Sequence, residues 1–272
     1  MLREINETEA TGDIARIFEE VRHLWGVPYI SAIHRHLATR PGVLEWSWDA
    51  VGPAFRSGAA QAAGLRAGAD LAVPPLNRIS RDAMCVWGVD DKALSTVREV
   101  AEGFVRVAPV NMMFAGLVKA LFEGQAPGGR SSSGATWAPP SALPVPPAMV
   151  APDALDAAAR GVLMQFASLS EGKPFVPGLY RMLAHWPGLL AHLSVVLVPR
   201  LTAAETTAAF DLIRARIDAA VPGVLATLPP VTSSRPMPDE AERTHFLTIG
   251  GTYRKTSPEL VVLGRLIGDA LP

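Results

Sequence analysis

Two arginines, Arg35 and Arg181, carry the side chains best suited to chemistry on an anion, because a guanidinium grips a carboxylate through two parallel hydrogen bonds. They stand in equivalent places in a stretch that the chain contains twice. Sliding the sequence by 146 positions superposes Gly26 on Gly172, Pro28 on Pro174, Arg35 on Arg181, Leu37-Ala38 on Leu183-Ala184, Pro41-Gly42 on Pro187-Gly188 and Leu44 on Leu190. Tyr180 and His34, which face each other across the repeat, and Gly178 beside them complete a candidate substrate-binding set.

Each of these residues also has a structural reading. Persistence of arginine in both copies favours a framework role, pairing a carboxylate or helix-end carbonyls, since a site used once does not need both. Tyr180 can donate to a bound anion or stand as a half-buried aromatic with a wet hydroxyl. His34 and His36 sit two apart on a helix and point to different faces, which argues against a shared metal. Asn111, after Pro109, can orient water or a carboxylate, or cap the helix that follows. Glu45 and Asp49, spaced i,i+4 beside Trp46 and Trp48, read as a solvated face, although one buried carboxylate there would be a base. No phosphate-binding loop, dinucleotide fingerprint, nucleophile elbow or His-Glu-x-x-His zinc motif occurs.

The elements that position these residues read as helices. Ile14, Ile17, Phe18, Val21, Leu24 and Trp25 recur at helical spacing, and Gly26 ends that run. Further helices are expected over roughly 31–39, 43–50, 59–71, 79–85 and 92–107, with one more after Pro109 to Phe122. The second half replays this order: an opening helix over 154–168, the repeated stretch, then a helix over 203–220, with the offset growing to 148 and then 149. Leu193 to Val198 resembles a strand by its β-branched run, but its partner 47–52 does not, so both are read as helical. The segment 244–250 stays open between helix and strand. The fold expected is all-α, a tandem duplication forming a pseudo-two-fold intramolecular dimer, with repeat 1 over 1–123, a Gly-, Ser- and Pro-rich linker over 124–153 pinned by Trp137, and repeat 2 over 154–272.

With 272 residues, 49% of them hydrophobic, the chain can bury a large core. Lys+Arg 25 against Asp+Glu 26, with no basic run, excludes a phosphate backbone as a natural partner. A single cysteine, Cys85, excludes an internal disulfide and a Cys-based zinc cluster, and reads as a small buried apolar residue. The acidic opening is unlike a signal peptide, and the most apolar run, 189–198, is too short to span a bilayer. A cytoplasmic protein without membrane contact is expected.

The twice-written pattern Gly-x-Pro-(Phe/Tyr)-(Val/Ile)-x-x-x-x-Arg-x-Leu-Ala-x-x-Pro-x-x-Leu resembles the group I 2-haloacid dehalogenases, which act on both enantiomers. The resemblance implies an α-helical pseudo-dimer that breaks a carbon–halogen bond beside a carboxylate by direct attack of water, without metal or cofactor. It also implies an Asp base immediately before Tyr180-Arg181, where this chain has Leu179, and an Asn that positions substrate or water, for which Asn111 is the nearest match. The expected activity is therefore displacement of halide or sulfate from a small carboxylate, with an internal amine closing a ring in place of water. The alternatives are a non-catalytic binding or partner subunit of the same fold, and a hydrolytic dehalogenase whose base is another carboxylate such as Glu171, Glu45 or Asp49; a homodimer or a hetero-partner is the assembly expected.

Overall fold

The structure, a computed structural model, describes residues 3–129, 137–170 and 172–272. Glu171 and the part of the linker over 130–136 lie outside the described residues. The fold is all-α. The first half contains α1 (Gly12–Trp25), α2 (Ala32–Leu37), α3 (Val43–Arg56), α4 (Ala59–Ala67), α5 (Arg81–Val86) and α6 (Asp91–Phe122). The second contains α7 (Ala157–Met164), α8 (Gly178–Leu183), α9 (Pro187–Leu197), α10 (Ala204–Leu225) and α11 (Glu240–Ala270). A short antiparallel ribbon, β1 (Ser168–Ser170) with β2 (Lys173–Phe175), precedes α8.

The two longest helices, α6 and α11, form the centre. Each begins at an aspartate whose side chain accepts a backbone N–H of the first turn, Asp90 from Ala93 and Asp239 from Glu242. Each carries one internal proline, Pro109 and Pro258, which are 149 positions apart in sequence. The proline in α6 was expected to divide two helices, yet the helix runs through it. An internal proline costs about 3 kcal/mol, and here Val107, Ala108, Val110, Met112 and Met113 on both sides of it are buried, which outweighs that loss. By length and apolar composition α6 is long enough to cross a membrane, but 78% of that window is packed inside the protein, so it is a core helix here.

α4 and α10 pack against this central pair, and one hydrophobic cluster includes residues of both halves, from Ile17 and Phe18 to Ile267 and Leu271. Trp25 anchors the first half, stacked on Phe55 with ring centroids 4.7 Å apart, while the Trp48 indole donates to Glu20 Oε2 at 2.7 Å.

Several sequence expectations need correction. α3 continues through Pro53 to Arg56, α4 stops at Ala67, and α7 is shorter than the 154–168 helix expected, because the chain turns into β1. Segment 244–250 is helical, inside α11. Cys85 is exposed rather than buried, on the outer side of the short α5. Glu45 is buried rather than solvated, its Oε1 lying 3.6 Å from Arg235, and Asp49 accepts from the Ser233 hydroxyl at 2.6 Å. Beyond 136 the linker lies along the body. The Trp137 indole donates to the Leu24 carbonyl at 3.1 Å, and Val150 N–H donates to the Arg181 carbonyl at 3.2 Å.

Candidate functional site

A cavity of about 80 Å³ opens where α2 and α8 meet α6 and α11. That volume holds several waters or a ligand of a few non-hydrogen atoms, well below the space of a drug-sized site. Its wall takes residues from both halves, several of them at positions related by the sequence offsets of 146 and 149. Tyr29, Ile30, Ser31, Ala32 and Arg35 answer to Phe175, Val176, Pro177, Gly178 and Arg181; Phe104, Val107, Ala108 and Asn111 on α6 answer to Tyr253, Thr256, Ser257 and Leu260 on α11. The lead-in segments match as well. Ile5 N–H donates to the Arg35 carbonyl at 3.1 Å just as Val150 N–H does to that of Arg181, which brings Glu4 and Met149 to the cavity as counterparts.

The pairs differ in polarity, and this gives the cavity direction. The first half contributes Glu4, Tyr29, Ser31 and Asn111 where the second contributes Met149, Phe175, Pro177 and Leu260, while the second contributes Tyr253, Thr256 and Ser257 where the first has Phe104, Val107 and Ala108. Each half supplies a Phe and a Tyr in ring contact, Tyr29 with Phe104 at 5.9 Å and Phe175 with Tyr253 at 6.4 Å, with the hydroxyl exchanged between them. Among the described residues, neither phenol oxygen has a hydrogen-bond partner although both are buried, and the same holds for Arg35 Nε. Unpaired buried donors cost about 1–3 kcal/mol each, which a bound acceptor would recover.

Charge at the cavity is three guanidiniums, Arg35, Arg181 and Arg254, against one carboxylate, Glu4, and Arg254 already donates to Asp218. Arg35 donates to Glu4 Oε2 and lies 4.0 Å from Glu7. Arg181 uses only Nε, donating to the Val150 carbonyl at 3.0 Å, and among the described residues it has no ion-pair partner within 4.0 Å. Burial lowers the Arg181 pKa from its usual value, with Glu4 pulling the other way. For Glu4, burial raises the pKa above the ordinary carboxylate range against the opposing pull of Arg35 and Arg181. Burial likewise pushes the Tyr29 and Tyr253 phenols well up, so both stay protonated donors at neutral pH.

Of the sequence candidates, Arg35, Arg181, Asn111 and Gly178 come together on the cavity wall, and His34, Leu179 and Tyr180 do not. Asn111 is not a helix cap; it sits inside α6 on the cavity wall, where its Oδ1 accepts from the Trp25 indole at 3.0 Å. His34 is wholly buried against Phe114, its Nδ1 2.7 Å from Ser31 Oγ, and burial drives its pKa down to about 3, so the ring is neutral. Leu179 is fully buried in the core. The Tyr180 ring stacks on Phe166 with centroids 4.0 Å apart, and its hydroxyl donates to Glu259 Oε1 at 2.7 Å. Glu45 and Asp49 are also absent from the wall. Among the described residues no cluster of three His, Cys, Asp or Glu side chains is placed to hold a metal.

Glu259 gives a pH signature. Burial raises its pKa to about 7, the Tyr180 hydrogen bond opposing the shift. The folded state therefore holds its proton at pH values where the unfolded chain has lost it, and stability falls as pH rises from about 4.5 to about 7. A Glu259→Gln variant is expected to flatten that part of the curve of urea midpoint against pH; an unchanged curve would show that Glu259 is ionised in the folded protein.

No protein-family model matches the chain, and no curated protein matches it in sequence. Solved structures do match. A D-2-haloacid dehalogenase described as a complex with L-LA aligns over 99% of this chain and 96% of its own, with TM-score 0.77 and 17% identity. A mutant D-2-haloacid dehalogenase in complex with D-2-CPA aligns over the same shares, with TM-score 0.76 and 17% identity. The fold is haloacid-dehalogenase-like. At this identity the likeness covers architecture over nearly the whole chain, and the chemistry has to come from the cavity itself.

Proposed function

We propose that this chain is a dehalogenase-like hydrolase that displaces an anionic leaving group, halide or sulfate, from the carbon beside the carboxylate of a small molecule, in a cavity between two copies of a duplicated helical unit. The observation that carries this reading is Arg181, a half-buried guanidinium without an ion partner on the wall of a small, largely apolar cavity. A substrate carboxylate placed there would take two charge-assisted hydrogen bonds, and the unpartnered Tyr29 and Tyr253 hydroxyls would donate to its remaining acceptors. Met149, Phe175, Val176 and Leu260 supply apolar surface that suits a large, weakly hydrated halide. The neighbours of the same fold named for D-2-haloacids support that substrate class.

Incubation with each enantiomer of 2-chloropropionate and of 2-bromopropionate should release free halide, read with an ion-selective electrode. Absence of release from all four, with correctly folded protein, would remove the haloacid reading.

A further inference from the structure

We propose that Glu4 is the general base of this site, activating the water that displaces the leaving group. The inference rests on the displacement reading above and replaces the internal-amine nucleophile that the absence of an acid at Leu179 had suggested. Among the described residues Glu4 is the one carboxylate on the cavity wall. Leu179 does not reach the cavity, and neither do Glu45 and Asp49.

Position and restraint both fit the role. The segment carrying Glu4 is pinned on both sides, by Ile5 N–H on the Arg35 carbonyl at 3.1 Å and by the Arg3 carbonyl accepting from His36 Nδ1 at 2.7 Å. Arg35 binds Glu4 Oε2, which orients the carboxylate, and among the described residues Oε1 has no hydrogen-bond partner. The second guanidinium, Arg181, stays available for the substrate, so one arginine positions the base while its counterpart holds the substrate. By the matching backbone hydrogen bonds of Ile5 and Val150, the residue that answers to Glu4 is Met149, so the cavity holds a carboxylate on the first-half side and an apolar thioether opposite. Burial that keeps the carboxyl more basic than an exposed one works in the same direction.

In the step, a water between Glu4 and the substrate gives a proton to the Glu4 carboxylate as its oxygen attacks the carbon beside the substrate carboxylate. The bond to the leaving group breaks on the opposite side, the bonding pair departs with the halide, and the product is a 2-hydroxy acid. The proton on Glu4 then passes to solvent.

The test compares wild type, Glu4→Gln and Glu4→Asp for halide release from 2-chloropropionate, together with lactate binding by calorimetry. Glu4→Gln is expected to lose a factor of about 10²–10⁴ in kcat while still binding lactate, and Glu4→Asp to keep part of the rate. A single turnover of excess wild-type enzyme in ¹⁸O-water should place the label in the product hydroxyl. A Glu4→Gln rate within about threefold of wild type, with wild type active, overturns the assignment of Glu4 and leaves the displacement reading standing. Unlabelled hydroxyl in the first turnover also overturns it, since the oxygen would then come from Glu4 through an ester. Wild-type protein that releases no halide overturns both. Lactate binding by the Gln variant shows that it is folded.

Discussion

Replacing Arg181 by methionine is expected to raise KM for 2-chloropropionate by a factor on the order of 10², because a charge-assisted hydrogen-bond pair to a partly buried carboxylate is worth about 1.5–3 kcal/mol. Methionine keeps most of the aliphatic stem, so the loss is of charge and donors rather than of volume. The corresponding change at Arg35 should differ in kind. Arg35 is already paired with Glu4, so Arg35→Met should frees the Glu4 carboxylate from its orienting partner and lower kcat more than it raises KM. Steady-state kinetics on the two variants read this split. Equal changes in KM for both would mean that the two arginines share the substrate and that the cavity has no direction.

A Leu179→Asp substitution is expected to cost about 3–5 kcal/mol of stability and to create no base. Leu179 has no exposed surface, belongs to the core and is absent from the cavity wall, whereas Gly178 and Arg181, three apart on α8, both line it. The aspartate would therefore lose apolar burial and bring an unpaired acid into the core. Urea unfolding measures the loss. A variant of wild-type stability that releases halide faster than the parent would place position 179 on the cavity and overturn its assignment to the core.

The helical architecture was legible because it is written in periodicity and in a repeat, and the repeat also located Arg35 and Arg181. What stayed hidden shows where such reading ends. Glu4 precedes α1, in a short segment with no periodic pattern, and its partner Arg35 is reached only by the chain folding back across α2. Tyr29 and Tyr253 were within reach, since aligning the copies beyond the signature stretch sets Tyr29 against Phe175 and Phe104 against Tyr253, a hydroxyl exchanged between equivalent places. The helix through Pro109 was not, because the packing on both sides that outweighs the proline lies on other elements. Tyr180 reads from sequence as a donor to substrate, but its hydroxyl points to Glu259, a residue 79 positions further on.

The joint packing of α6 and α11 also determines how binding in the cavity is felt elsewhere. The two walls belong to helices from opposite halves that share one core, so neither wall keeps its place if the other half unfolds. A ligand bridging them is thermodynamically linked to unfolding of the entire chain, and at a hundred times its dissociation constant it adds about 2.7 kcal/mol to that transition. The melting temperature thus becomes a binding gauge for the whole molecule, able to rank small carboxylates before any reaction is known.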